Sequence, residues 1–318
     1  MFTYQINRNI IIQETCFLLT AMLTSFIFVF ARFKYNYEYP ESTLLDLINY
    51  QAKTPFQYRI LIPFLVKQLI FFLKLDYQFS FKLLEFIATN LLVISFRYFL
   101  RFFMPYKYAT IYSFTLFIPL IYHFILSRIP IYYPWDIPSV LFFMIGIICI
   151  YQKNNLVYYL IFIIATLNRE TSCFLSVLFF IKNINEKNKF ILLAHIGTQV
   201  LLWIIIKYFL FICFKNNEGH GMFVNQFNDN VHYLFRLSSY PYLLGVFSGT
   251  WIILLFTFRY LKDRFLKNIL WVCIPFMGGM LIVGAILEIR IFGELIPVFQ
   301  TLCIVSIFDY WSSKNINH

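Results

Sequence analysis

Charge is scarce in this chain. Only 13% of its 318 residues are Asp, Glu, Lys or Arg, where a soluble domain carries roughly 25%. Apolar residues make up 60% and are spread from end to end, which excludes a soluble domain with a single anchor. Glycine is sparse as well, with ten in all, and no Gly-rich phosphate loop, zinc motif or nucleophile elbow interrupts the apolar runs. The six cysteines (Cys16, Cys149, Cys173, Cys213, Cys273 and Cys303) fall in or beside those runs without metal-ligand spacing. They read as small core residues. The first apolar stretch is long, lacks a small-residue cleavage site and is followed by more spans, so no cleavable signal peptide is expected. Short alternating strands are missing too, which argues against a transmembrane β-barrel.

What the chain has is long apolar runs. About 20 such residues cross the roughly 30 Å hydrocarbon layer as a helix, and helices are favoured because lipid offers backbone polar groups no partners. The expectation is an all-α polytopic integral membrane protein, a single transmembrane domain over 1–318 with about 10–12 segments, some short or broken. Clear spans cover 10–31, 58–75, 81–100, 137–151, 190–211, 242–260, 269–287 and 295–308. Two regions are interrupted: 106–134 by Pro119, His123 and Arg128, and 156–181 by Asn168-Arg169-Glu170-Thr171. Charges at membrane depth are costly, so 156–181 reads as two short helices around a charged turn in a cavity or at the interface. The 41 Phe and 23 Tyr suit lipid-facing surfaces and interfacial belts. The net charge of +11 lies in short loops, so anionic lipid headgroups explain it better than nucleic acid.

Loop charges orient the chain. Lys182, Lys187 and Lys189 share one short loop, and Lys262, Arg264 and Lys267 another; the positive-inside rule puts both in the cytoplasm. Loop 215–240 is then outside, as are Glu288, Arg290 and Glu294. If 156–181 is a hairpin, Asp136 and Arg169-Glu170 are outside as well. With the amino terminus inside, 32–57 is an outward loop whose 42–48 part could lie as an interfacial helix. Asp136 then reaches the outside only if 106–134 crosses twice. This broken-pair reading is preferred and gives about 12 segments with both termini cytoplasmic.

The same topology gathers Glu38, Glu41, Asp46, Asp136, Glu170, Glu288 and Glu294 on one face, accompanied by Arg59, Arg128, Arg169 and Arg290. A carboxylate there can take the proton of an acceptor hydroxyl as it attacks a sugar carbon. Arginines beside it can hold a lipid carrier's phosphate by charge-assisted hydrogen bonds. Asp46, Asp136, Glu170 and Glu41 are the catalytic candidates. Arg59, Arg169, Glu288, Arg290 and Glu294 are the substrate-binding ones. Each has a structural reading too: Glu38 and Glu41 as solvated loop charges, Arg169 and Glu170 as a mutually neutralising pair, Glu288 and Arg290 as a helix-end pair, and Glu294 as a helix cap. His123 and His195 read as packed or hydrogen-bonded core residues. No cofactor is implied, and a divalent metal is left open.

The phrases Pro55-Phe56-Gln57-Tyr58-Arg59-Ile60-Leu61-Ile62-Pro63, Tyr133-Pro134-Trp135-Asp136, Asn168-Arg169-Glu170-Thr171 and Glu288-Ile289-Arg290-Ile291-Phe292-Gly293-Glu294-Leu295-Ile296-Pro297 together resemble bacterial multi-span membrane proteins related to the GT-C superfamily of glycosyltransferases. The resemblance implies many spans, a polyprenyl- or dolichyl-phosphate-linked sugar donor, and an essential acidic residue in the first outward loop, which here matches Asp46, Glu41 or Glu38. That loop lacks the paired signature Asp-x-Asp or Glu-x-Asp, so the choice among the three stays open.

The leading expectation is transfer of a sugar from a polyprenyl-phosphate carrier to a surface glycan or lipid acceptor, at the outer face of a bacterial cytoplasmic (inner) membrane. Its partners would be the polyprenyl-linked donor, the acceptor and membrane lipids, with no nucleic acid. An O-antigen or capsule repeat-unit polymerase is the runner-up, although 215–240 is a modest outward loop for one. A transporter or flippase would show inverted repeats with facing broken helices.

Overall fold

The computed structural model describes residues 8–221 and 223–315. The apolar runs become helices, and a single two-residue strand pair joins two loops. Helix α1 (Arg8–Tyr35) is followed by strand β1 (Tyr37–Glu38), the short helix α2 (Leu44–Asn49), and α3 (Leu61–Leu73). Helix α4 (Tyr77–Leu100) lies antiparallel to α1. Arg32, in the last turn of α1, meets Glu85 near the start of α4, whereas Glu14 at the start of α1 meets Arg97 at the end of α4.

These two contacts define the two ends of the molecule, and the longer later helices run between them. Helices α5 (Tyr106–Ser113) and α6 (Phe117–Phe124) form one bent pass away from the Glu14 end. Strand β2 (Ile131–Tyr132) then pairs in parallel with β1. Helix α7 (Asp136–Gln152) returns, α8 (Asn155–Asn168) climbs, and α9 (Cys173–Asn183) descends. Next come α10 (Lys189–Cys213), α11 (Phe227–Phe235) and α12 (Tyr240–Leu244), then α13 (Thr250–Thr257), α14 (Arg264–Ile269), α15 (Cys273–Val283) and α16 (Ile296–Asn315). The ring of Phe308 on α16 lies 5.5 Å from that of Tyr108 on α5, so the chain's last helix ends where α1 begins. Among the described residues, five helices are long and apolar enough to cross a membrane, or up to six if the bent pair around Gly245 is one span, where about 10–12 segments were expected; α3, α7 and α8 are apolar but shorter.

Two expectations are corrected. Region 106–134 does not cross twice: α5 and α6 make one pass, and 125–135 is a loop carrying β2. Pro119 does not break the pass because it sits in the first turn of α6, where a missing N–H costs little. Gln300 on α16 serves the adjacent 3-10 turn, donating from Nε2 to Thr115 Oγ1 at 2.7 Å and to the Thr115 carbonyl at 3.4 Å. Residues 58–75 do not cross either. Helix α3 has 13 residues, about 20 Å of length, and it packs on α2 and the first turns of α4 through Ile62, Val66 and Phe81. Both its ends lie at the Arg32 end of the molecule. The parity of the chain is therefore met by α3 staying at one end rather than by an extra crossing in 106–134.

That arrangement is testable with single cysteines in a background lacking the native ones. Lys53→Cys and Lys74→Cys, which flank α3 at a half-buried and an exposed position, should react with a membrane-impermeant maleimide from the same side. Lys153→Cys, at the other end, should react from the opposite side. A split between 53 and 74 would put α3 through the membrane.

His123 braces the sharpest bend. Between α12 and α13 the chain turns by 68°, with Phe247 and Ser248 in left-handed conformation. The Phe247 N–H donates to His123 Nε2 at 2.8 Å, and His123 Nδ1 lies 2.8 Å from the Ile289 carbonyl. A neutral ring with its proton on Nδ1 satisfies both, as a buried polar group requires. His195 is half-buried, with Nδ1 2.8 Å from the Tyr159 hydroxyl.

Candidate functional site

Helices α7 and α8 are short, so their Arg32-end termini stop within the bundle, and the chain between and above them carries the charge. Asp136 opens α7, fully buried, with its carboxylate in the favourable field of the helix amino terminus. Three guanidiniums converge on it. Arg32 Nη2 donates to Oδ2 at 2.9 Å, while Arg290 Nη1 and Arg169 Nη1 lie 3.6 and 3.8 Å from Oδ1. Each arginine has a second carboxylate or takes part in a further pair: Arg32 with Glu85 at 2.6 Å, Arg169 with Glu294 at 3.2 Å, and Arg290 with Glu288. The Thr171 hydroxyl donates to Glu294 at 2.5 Å. Asn168 Nδ2 donates to the Trp135 carbonyl at 3.0 Å, holding the turn that presents Asp136.

Beside this hub lies a second pair, nearer water. Arg59, just before α3, donates to both Glu170 oxygens, at 2.5 and 3.2 Å. Lys207, buried on α10, lies within electrostatic reach of Glu170, and its ammonium has no hydrogen-bond partner among the described residues. The cations Arg32, Arg59, Arg169, Arg290 and Lys207 balance the carboxylates Glu85, Asp136, Glu170, Glu288 and Glu294 one for one. Aromatic rings tie the two pairs together. Tyr133 stacks on Phe56 at 5.6 Å and on Trp135 at 4.9 Å; Arg290 lies 4.0 Å over Tyr133, and Arg59 4.8 Å over Trp135. Such cation–π contacts hold the guanidinium planes in place.

Access divides the carboxylates. Asp136, Glu85 and Glu294 are sealed inside, whereas the side chains of Glu170 and Glu288 remain 23% and 21% exposed. Above them stands Tyr39, whose phenol is pushed up by burial and by the Glu41 carboxylate it donates to at 3.4 Å. The remaining candidates sit elsewhere in this end. Asp46 sits in the first turn of α2, which Thr43 caps: the Asp46 N–H donates to Thr43 Oγ1 at 3.2 Å, and the Asp46 carboxylate accepts from that hydroxyl at 2.6 Å. Glu38 accepts from the Leu44 N–H at 2.9 Å. Glu41 pairs with Lys53 at 3.1 Å, both half-buried. None of the three pairs with the hub. Arg169 and Glu170, adjacent in sequence, face different partners rather than each other, while Glu288 and Arg290 do pair.

Sequence reasoning passed over Arg32, Glu85 and Lys207. Each left a signal, a charge within or ending an apolar run, which marks a functional candidate by default. Among the described residues, no group of three or more His, Cys, Asp or Glu side chains is placed to hold a metal ion.

A strap roofs this end. Thr54 N–H donates to the Glu218 carbonyl at 2.8 Å, the His220 N–H to the Thr54 carbonyl at 3.1 Å, and the Thr54 hydroxyl to the His220 carbonyl at 2.7 Å. Gly219 between them has φ +123°, and a Cβ there would stand 2.3 Å from the Thr54 carbonyl oxygen. Gly219→Ala should therefore detach the strap at a cost of about 1–3 kcal/mol. Hydrogen exchange over 214–221 reads this directly: unchanged protection would mean the strap tolerates a side chain.

Flanking the hub is an apolar groove of about 550 Å³ lined by Val246, Phe247, Trp251, Met277, Phe292 and Phe299, among others. Phe292 belongs to the turn 289–295 that also carries Arg290 and Glu294, so groove and charge meet at one turn. Comparison with protein-family models, curated proteins and solved structures finds no match.

Proposed function

We propose that this chain transfers a sugar from a polyprenyl-phosphate carrier to a glycan or lipid acceptor, and does so at the water-facing rim of the charged cluster. One observation carries the reading: the apolar groove and the buried Arg290 guanidinium of the charged cluster share the turn 289–295. A polyprenyl phosphate has the same two characters, an apolar tail and an anionic head. The tail suits the groove, and Arg290 with Arg59 suits the phosphate by charge-assisted hydrogen bonds.

In the transfer, the acceptor hydroxyl oxygen bonds to the sugar's anomeric carbon while the bond from that carbon to the phosphate oxygen breaks. The hydroxyl proton passes to a carboxylate, and the carrier phosphate leaves with its charge beside the guanidiniums. Glu170 and Glu288 are the carboxylates placed for that proton, because both meet water and both touch an arginine. Asp136 serves as the anchor that holds the arginines rather than as the base. The lysines and arginines of the opposite end, among them Lys153, Lys182, Lys187 and Lys262, favour the cytoplasmic side. That orientation puts the site on the outer face of a bacterial cytoplasmic membrane.

The test is the surface glycan of a deletion strain complemented with Glu170→Gln or Glu288→Gln at matched protein levels. Loss of the glycan with either variant supports the transferase. Normal glycan from both overturns it, and single repeat units without longer chains would make the protein a repeat-unit polymerase instead.

A further inference from the structure

A second groove lies on the other flank of the molecule, between α1 and α4, with a volume of about 480 Å³. Its walls are Phe26, Phe30, Phe33, Phe79 and Phe86, and its upper end carries Lys34 and Lys82. The antiparallel register explains why these two lysines meet. Arg32 pairs with Glu85 across the same helices, so a step of two or three residues toward the loop on each helix brings Lys34 opposite Lys82. Both are exposed, each over an aromatic ring: Lys34 over Tyr35 at 5.5 Å and Lys82 over Phe33 at 5.3 Å. No carboxylate lines the groove; Glu85 is turned inward to Arg32.

From Phe26 to Lys34 the helix rises about 12 Å, most of the depth of one leaflet in a layer roughly 30 Å thick. The lysines thus stand at headgroup level with an apolar channel one leaflet deep beneath them. We propose that this groove is a binding site for an anionic phospholipid of the surrounding bilayer, its phosphate held between Lys34 and Lys82 and one acyl chain lying against Phe26, Phe30 and Phe86. Two cations with no competing carboxylate select an anionic headgroup over a zwitterionic one, and the concave wall selects this position over the rest of the lipid-facing surface. Phe33, under Lys82, packs on Tyr132 at 4.3 Å, and Tyr132 lies 4.8 Å beneath Arg32. The bound lipid therefore sits two rings, Phe33 and Tyr132, away from the buried hub.

The purified full chain, titrated with phosphatidylglycerol or phosphatidylcholine of identical acyl chains and followed by native mass spectrometry, tests this. Wild-type protein should retain phosphatidylglycerol preferentially. Lys34→Ala with Lys82→Ala should weaken that lipid by about 30-fold, about fivefold for each lysine, and leave phosphatidylcholine unchanged. Because both side chains are exposed, the variant is expected to unfold at the wild-type temperature. The control Lys153→Ala with Lys187→Ala, at the opposite end, should retain the preference. Equal loss in the control, or no preference in wild type, overturns the site. So does displacement by polyprenyl phosphate but not by phosphatidylglycerol, which would assign the groove to the carrier.

Discussion

Asp136→Ala should cost this protein about 3–5 kcal/mol of stability, the effect of breaking a buried ion pair. The reason lies in what the substitution leaves behind. Arg32, Arg169 and Arg290 are nearly or fully buried, and Asp136 is the one carboxylate that all three approach. Without it, the five cations of the cluster face four carboxylates, and the one uncompensated positive charge beside the three buried guanidiniums has little water to solvate it. Domains are stable by about 5–15 kcal/mol in total, so a loss of that size should appear as earlier thermal unfolding in detergent and as poor recovery from membranes. Combining Asp136→Ala with Arg32→Met removes one of the stranded cations and should restore part of the loss, which a double-mutant cycle reads as coupling. Wild-type stability in Asp136→Ala would remove the hub from any account of the fold.

The second large effect falls on activity. A carboxylate acting as general base contributes about 10²–10⁴-fold, and Glu170 and Glu288 are the two cluster carboxylates that reach water. Whichever accepts the proton should lose activity by that factor on amide replacement. The other should lose far less, because Gln preserves a hydrogen bond to Arg59 or Arg290. Glu288→Gln leaves Arg290 its contact with Asp136, so expression and unfolding temperature should stay near wild type while the rate of sugar transfer falls. Glu170→Gln removes the carboxylate nearest the buried Lys207 and should lower the unfolding temperature as well, so its rate is compared at matched folded protein. Rates measured with membranes and a radiolabelled polyprenyl-phosphate sugar separate the two residues. A loss smaller than tenfold in each would exclude both as the base.

The helical, membrane-embedded character of the chain was legible in the residues, because lipid imposes one rule on every segment: backbone groups must be satisfied within a helix. The broken region 156–181 was equally legible, since Asn168-Arg169-Glu170-Thr171 cannot lie in hydrocarbon unpaired, and the structure folds it as two helices around a buried turn. Helix α3 was misread as a crossing because apolarity alone does not separate a short helix lying on its neighbours from a pass through the bilayer. The error moved the parity onto 106–134, where Pro119 looked like a break but sits in a first turn that tolerates it.

The acidic residues show the same division. Their expected collection at one end rested on a helix count that was wrong twice, and it holds because the two errors, a crossing too many at 58–75 and one too many in 106–134, offset each other. Which of them form a site depended on distances between segments far apart in the chain. Glu38 spends its carboxylate on the Leu44 N–H of α2 and Asp46 on the hydroxyl of the capping Thr43, local demands of a helix amino terminus, whereas Asp136 and Glu294 each accept from a partner more than 100 residues away. Arg32, Glu85 and Lys207 entered the cluster only through packing of α1, α4 and α10. The sequence by itself determined that this protein is built of helices apolar enough for a membrane. Only the tertiary structure decided which charges are partners, because pairing energy falls off within a few ångströms and no pattern along the chain encodes those distances.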